Sequence, residues 1–260
     1  MNRQQKYWEM IARKWQRERR HTLWRQHSDA VNLKLVQNWW PDEPVEHVLK
    51  TDLFDEAFGE GVYPYMRSNA KFISGIDISD TIVAAVQKKR LNLQAAVADV
   101  RRLPFRSNKF DLIVSNSTLD HFKSLSDISI ALDELYRVLR PGGRMLLTLD
   151  NLRNPIIALR QVLPSGLTNT LGLVPYYVGP TYGPRGLSRA VLDARFRITN
   201  TASLMHCPRL VAVAAAGFLQ RHAKSSAQHR FLRGLMAFEK LSHLPTHSLS
   251  GHYVAVNAVK

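Results

Sequence analysis

The chain is short of cysteine, of long apolar runs and of acid, and each shortage excludes something. Its single cysteine, Cys207, excludes an internal disulfide framework and any site built from several cysteines, so no metal centre is expected. The longest apolar run, Leu210 to Leu219, has about half the ~20 residues that a bilayer-crossing helix needs. No apolar core follows the N-terminus, which argues against a secretory leader and for a cytoplasmic protein. Internal repeats and low-complexity tracts are also missing. Acids number 21 against 36 Lys and Arg, a formal charge of +15. Such an excess suits nucleic acid, an acidic membrane surface or a phosphorylated substrate, with a merely solvated basic surface as the plainer reading.

What is present reads as globular. Of the 260 residues 45% are hydrophobic and 22% charged, a profile for one generous domain or a domain with an appendage. Residues 1–44 form that appendage. Trp8, Ile11 and Trp15 recur at helical spacing, as do Ser28, Val31 and Leu35, before Pro41 and Pro44 stop the pattern. A basic helix carrying tryptophans can lie on an anionic membrane, so peripheral contact there stays open. The reading preferred here is a lid or brace packed on the main domain.

From residue 45 onward strand-like and helix-like segments alternate. Strands are expected at Val48–Phe54, Lys71–Ile78, Leu93–Val97, Phe110–Ser115 and Arg144–Leu149. Helices are expected near 61–69, after a cap at Ser79 or Asp80, and along the face of Ile128, Leu132, Leu135 and Leu139. This rhythm predicts an α/β fold: a doubly wound, mostly parallel Rossmann-like sheet with helices on both faces. Residues 151–190, rich in proline, glycine and tyrosine, read as an insertion. Strands at Arg197–Met205 and His252–Val259 flank helical stretches near 209–221 and 226–241.

In such a sheet ligands sit at the carboxyl ends of the strands. After the first strand, Asp55, Ala57, Gly59 and Gly61 place an acid before small residues that let a ligand approach the backbone. Asp77, followed by Ile78, ends the second strand with acceptors for both hydroxyls of a ribose. Asp99 and Val100 end the third, where an acid beside a backbone N–H reads the amino edge of an adenine, with Leu103 and Phe105 packing the ring. Asn116 ends the fourth, ahead of Asp120 and His121.

The run from Asp99 through Leu103-Pro104-Phe105, then Phe110-Asp111, then Leu139-Arg140-Pro141-Gly142-Gly143, resembles the class I S-adenosylmethionine-dependent methyltransferases of the small-molecule type. The resemblance covers about residues 45–150. It implies a seven-stranded sheet with an antiparallel finishing pair and S-adenosyl-L-methionine as cofactor. By that resemblance Gly59 and Gly61 approach the methionine moiety, Asp77 holds the ribose, Asp99 and Val100 face adenine, and Asn116 lies near the sulfonium. The first loop departs from the family's glycine-rich pattern. Two registers compete: one puts the motif acid at Asp55, with Ala57 in place of the first glycine, and the other brings Thr51 and Asp52 to the cofactor. The Asp55 register is preferred.

The resemblance implies methyl transfer to a small-molecule acceptor, anionic or lipid-linked. His121 is the candidate general base. Tyr176, Tyr177, Tyr182 and His206 fall where the family builds its substrate lid, and Arg153, Arg160, Arg185 and Arg189 are expected to meet an anionic acceptor there. RNA methylation is the runner-up, but no Asn/Asp-Pro-Pro-Tyr motif and no RNA-binding module accompanies the charge, so nucleic acid is not the expected partner. A scaffold that kept the fold and lost turnover is the third reading. The sequence leaves the oligomeric state open.

Overall fold

The structure, a computed structural model, describes residues 3–18, 22–163 and 176–260. Two helices, α1 (Arg3–Glu18) and α2 (Thr22–Trp39), precede a seven-stranded sheet. Its strands are β1 (Val45–Lys50), β2 (Ala70–Asp77), β3 (Gln94–Val97), β4 (Phe110–Asn116), β5 (Leu139–Asp150), β6 (Arg197–Leu204) and β7 (Tyr253–Val259). Between them run α3 (Phe54–Phe58), α4 (Tyr63–Asn69), α5 (Asp80–Lys88), α6 (Leu125–Val138), α7 (Pro155–Val162), α8 (Pro184–Asp193), α9 (Arg209–His222), α10 (Ser225–Ala237) and α11 (His247–Ser250).

The strand order is β3-β2-β1-β4-β5-β7-β6. Strands β1 to β5 pair in parallel, and β7 runs antiparallel to both β5 and β6, so the sheet is mixed. The order reverses between β1 and β4, which opens a crevice at their carboxyl ends. Successive residues of the central strands point to opposite faces. Leu49 and Ile113 join one apolar cluster with Ile128, Leu132 and Leu135 of α6, while Val48, Leu112 and Val114 join another with Met66 of α4 and Val36 of α2. Burial on both faces explains why these strands read as unbroken apolar runs, and each such Leu or Val adds about 1.5–3 kcal/mol.

The helix starts follow cap chemistry. Ser79 accepts from the Ile82 N–H at the head of α5, and Ser124 accepts from the Asp127 N–H at the head of α6. Two segments depart from the expected elements. Strand β1 stops at Lys50, four residues before the expected end at Phe54. The Asp52 side chain accepts from the Phe54 N–H at 2.9 Å, turning the chain into α3 instead. The 151–190 segment contributes α7 and α8, each begun at a proline in its first turn. Residues 164–175 of the expected insertion lie outside the described residues.

Helix α1 lies against α5. Its Glu9 carboxylate accepts from Ser79 Oγ at 2.7 Å, Thr81 N at 3.1 Å and Thr81 Oγ1 at 2.5 Å, with Arg13 Nε at 2.9 Å. Burial alone would raise the Glu9 pKa, but the bonds from Thr81 and Ser79 outweigh it and hold the group at about 2. Helix α2 is tied to the far end of the chain: Leu23, Trp24 and Val31 share a cluster with Met205, Ala212, Ala216 and Leu235. Among the described residues no helix is long and apolar enough to cross a membrane.

Candidate active site

At the carboxyl ends of the strands lies a cavity of about 510 Å³, within the range of about 300–1,000 Å³ usual for small-molecule sites. Strand ends supply its floor. Thr51 and Asp52 follow β1, Asp77 ends β2 ahead of Ile78, Asp99 and Val100 follow β3, and Asn116 ends β4. Helices α1 and α2 supply the roof with Trp8, Ile11, Trp15 and Trp24. Trp15 meets Phe54 edge-on at 5.3 Å, and Trp8 lies 4.7 Å from the His121 ring and 5.9 Å from Tyr176.

Of the site residues expected from sequence, Asp52, Asp55, Asp77, Ile78, Asp99, Val100, Asn116 and His121 line this one cavity. Ala57, Gly59 and Gly61 do not. Because β1 ends at Lys50, Thr51 and Asp52 occupy the strand-end position, as in the alternative register, while Asp55 reaches the same cavity from α3. Asp55 sits within α3, 3.0 Å from Arg25. Ala57 packs against Leu53 and Ile82, Gly59 faces α2, and Gly61, with φ +55, turns beside Glu56. Leu103 and Phe105 also fall outside the cavity: Leu103 is in the core, and Phe105 stands edge-on to Phe110 at 5.0 Å. Where the family's strand ends in an acid, this chain has Lys50, fully buried with its Nζ 3.5 Å from Glu56 and 2.7 Å from the Asp52 carbonyl.

The floor is crowded with carboxyl groups. Asp77 accepts from Leu53 N at 3.2 Å and Ser79 N at 2.8 Å, but its burial and the neighbouring Asp52 push its pKa up to about 8. Burial also raises Asp52, lifts Glu56 to about 7 and, with Asp55 beside it, lifts Asp29 to about 7. Such groups bind more protons folded than unfolded at neutral pH, since free carboxyls ionise near pH 4. These carboxyls therefore contribute a loss of stability as pH rises from about 4 through about 8, opposed up to about pH 7 by His27 and His252, which burial holds neutral in the folded chain. Thermal unfolding of wild type and Asp77→Asn across that window checks this: the variant should show the shallower decline.

The fourth strand leads into a tight turn at Leu119–His121. Asp120 is fully buried and accepts from Ser117 Oγ and Asp150 N, both at 2.9 Å, so it braces the turn and does not face the cavity. His121 faces it, between Trp8 and Tyr176. Tyr176 lines the cavity as well, whereas Tyr177, Tyr182 and His206 do not. His206 is buried, with Nδ1 2.8 Å from Ser250 Oγ and Nε2 3.0 Å from the Ser203 carbonyl.

The cations expected at the acceptor are also placed elsewhere. Arg160 is 2.6 Å from the buried Asp150, Arg189 pairs with Asp193 at 3.0 Å, and Arg153 and Arg185 lie outside the lining. Arg209 and Arg221, at the two ends of α9, are the cations that reach the cavity from this side of the sheet, and Arg209 is the buried one. No sequence signal separated it from the other basic residues.

Residues 57–147 match the family model described as a methyltransferase domain. Over that stretch, about a third of the chain, the sequence matches methyltransferases. Its likeness to curated members is partial. It is 34% identical over 88 residues to the malonyl-[acyl-carrier protein] O-methyltransferase of Enterobacter lignolyticus, covering 34% of each protein. It is 31% identical over 132 residues to the tRNA (carboxymethyluridine(34)-5-O)-methyltransferase of Arabidopsis thaliana, covering 51% of this chain and 30% of that one. The chain thus spans about a third of the length of these relatives. A solved geranyl diphosphate C-methyltransferase from Streptomyces coelicolor shares the fold at a TM-score of 0.59 and 14% identity, over 89% of this chain and 79% of that one. This methyltransferase fold accounts for the strand order and for the crevice at its reversal.

Proposed function

We propose that this methyltransferase uses S-adenosyl-L-methionine to methylate a small molecule. The observation that carries the reading is the convergence of Asp77, Asp99 and Asn116, from the ends of three strands, on one cavity. The residues fit the cofactor. Each Asp77 oxygen has already accepted one backbone N–H and keeps a lone pair for a ribose hydroxyl. Asn116 Nδ2 is buried without a hydrogen-bond partner. The acidic floor of Asp52 and Asp77 suits a ligand bearing a sulfonium and an ammonium. The departure is the first loop, where Asp52, Leu53 and Phe54 leave no close approach to bare backbone.

The cofactor, when bound, supplies an electrophilic methyl group. The chain's part is to hold the acceptor in line, exclude water and take a proton where the acceptor is a hydroxyl or a protonated amine. The aromatic roof of Trp8, Trp15 and Tyr176 serves exclusion. His121 Nδ1, buried without a hydrogen-bond partner, is the group available to take the proton. The roof also favours a small acceptor over RNA, because α1 and α2 stand where a polynucleotide would have to enter. RNA keeps the support of the net charge and of the tRNA-modifying relatives, and the altered loop keeps a scaffold in play.

Calorimetry with S-adenosylmethionine and S-adenosylhomocysteine tests the reading. At about pH 9, where Asp77 is ionised, Asp77→Ala is expected to weaken binding at least tenfold, since two charge-assisted hydrogen bonds of about 1.5–3 kcal/mol each are lost. Unchanged affinity in a folded variant removes Asp77 from the cofactor site, and no binding by wild type favours the scaffold.

A further inference from the structure

The cavity extends past the cofactor half. Asn116 pairs with Thr148 of β5, and Asp150, two residues further along, pairs with Tyr253 of β7. Thr148 and Tyr253 both line the cavity, so it crosses β5 and reaches the antiparallel edge. Arg209 stands over that edge as the first residue of α9. Its Nη1 meets His252 Nε2 and lies 3.3 Å from Tyr253 Oη, and the Tyr176 hydroxyl also hydrogen-bonds it. Its guanidinium is 5.9 Å from the Trp24 ring centre.

None of these neighbours is an anion at neutral pH. Asp150 is the nearby carboxylate, but its Oδ2 is committed to Arg160 at 2.6 Å and its Oδ1 lies 3.4 Å from His252. Among the described residues no carboxylate oxygen comes within 4.0 Å of the Arg209 guanidinium. Asp150 therefore acts on Arg209 only at longer range, and a guanidinium at a cavity wall with no carboxylate in contact is a fork for a carboxylate or phosphate.

The wall beside it is apolar. Leu210, Val213, Ala214 and Gly217 follow one another at helical spacing along the cavity side of α9, and Arg221 closes the row one turn further on. The helix already buries a different face, Ala212 and Ala216, against α2 and α10. An ordinary surface helix has one apolar stripe, and this one has a second turned to the cavity.

We infer that the β5–β7 side of the cavity is an acceptor subsite for an anionic amphiphile, with Arg209 taking its carboxylate or phosphate and the α9 wall its apolar chain. This rests on the methyltransferase reading for its purpose, though not for its chemistry. Arg209 acts here as a specificity-determining residue.

Calorimetry on the full chain, with decanoate, decyl phosphate, decanol and S-adenosylhomocysteine as separate probes, tests it. At least one anion should bind tenfold or more tighter than decanol, and the tighter of the two names the head group. Arg209→Gln should lose at least tenfold of that affinity, Arg209→Lys should recover part of it, and both should bind S-adenosylhomocysteine as wild type does. Gly217→Glu serves as the second variant: a Cβ there meets nothing within 4 Å, so no clash opposes folding, and its hydrated carboxylate should disfavour the anion's apolar chain. Decanol binding as tightly as the anions overturns the inference. So does a folded Arg209→Gln with unchanged affinity, or displacement of the anion by S-adenosylhomocysteine. Anion binding without cofactor binding sinks the methyltransferase reading alone, and cofactor binding without anion binding sinks the subsite alone.

Discussion

Lys50→Met is expected to destabilise the protein by about 3–5 kcal/mol, the usual result of removing one partner from a buried ion pair. Methionine nearly conserves the volume, so the loss isolates charge from packing. Lys50 and Glu56 are both fully buried, and the ammonium also faces Asp52 and Asp55. Burial lowers the lysine's pKa, but Glu56 and the two aspartates more than reverse this and hold it raised. Without the lysine the carboxyls of Asp52 and Glu56 lose their nearest cation, Arg25 being held by Asp55, and they must take up protons. The deficit should therefore be largest near pH 8 and shrink as acid neutralises the cluster. Glu56→Gln added to Lys50→Met should recover part of the loss. Urea unfolding at about pH 8 and about pH 5.5 measures all of this. A single variant as stable as wild type at both values would show that the pair holds nothing together.

Gly179→Ala carries the second large effect. A Cβ at Gly179 would stand 1.7 Å from the Phe122 carbonyl oxygen and 2.9 Å from its carbon, atoms of backbone that cannot rotate away. The Gly179 N–H donates to the Asp120 carbonyl at 2.7 Å, Gln161 Nε2 donates to the Gly179 carbonyl at 2.7 Å, and Thr181 Oγ1 donates to the Asp150 carbonyl at 2.5 Å. Together these press the strand-like segment 176–183 onto the turn that presents His121. Methyl insertion should cost about 1–3 kcal/mol of stability. Displacement of Tyr176 and His121 by about 1 Å should cost about a hundredfold in turnover. Gly234→Ala in α10, where a Cβ meets nothing within 4 Å, is the control and should stabilise by about 0.5–1 kcal/mol. Equal behaviour of the two variants in urea unfolding would refute the close approach.

Particular residues show how far the sequence could be read. Ser79 announced its helix because a cap is local chemistry, and β4 was legible because burial on both faces leaves an unbroken apolar run. The β1–α3 corner was not. Leu53 and Phe54 look like more strand, and only the Asp52 side chain bonding to the Phe54 N–H turns them into a helix. The glycines at 59 and 61 drew the preferred register to Asp55, three residues past Asp52. Asp77, Asp99 and Asn116 were legible because each ends a recognisable strand. Arg209 was hidden for the opposite reason: its meaning comes from β7 folding back beside β5, a contact between distant segments that no local spacing encodes. Arg160 looked free in sequence for the same cause, since its partner Asp150 is only adjacent once α7 packs against the strand end.

The two roof helices are not fastened alike. Helix α2 shares apolar clusters with β1, β4, α9 and α10, so it opens only when the domain does. Helix α1 rests on Ile11, Ala12, its tryptophans, the Glu9 carboxylate and the bonds of Gln4 with Arg101 and Tyr7 with Tyr177, and among the described residues it shares no large apolar cluster with the sheet's two faces. It can therefore swing or fray by itself, at a frequency set by those few contacts. A ligand beneath it then departs on the roof's schedule. Ligands of quite different affinity would share similar residence times, and tighter binding would appear mainly as faster capture by the open state.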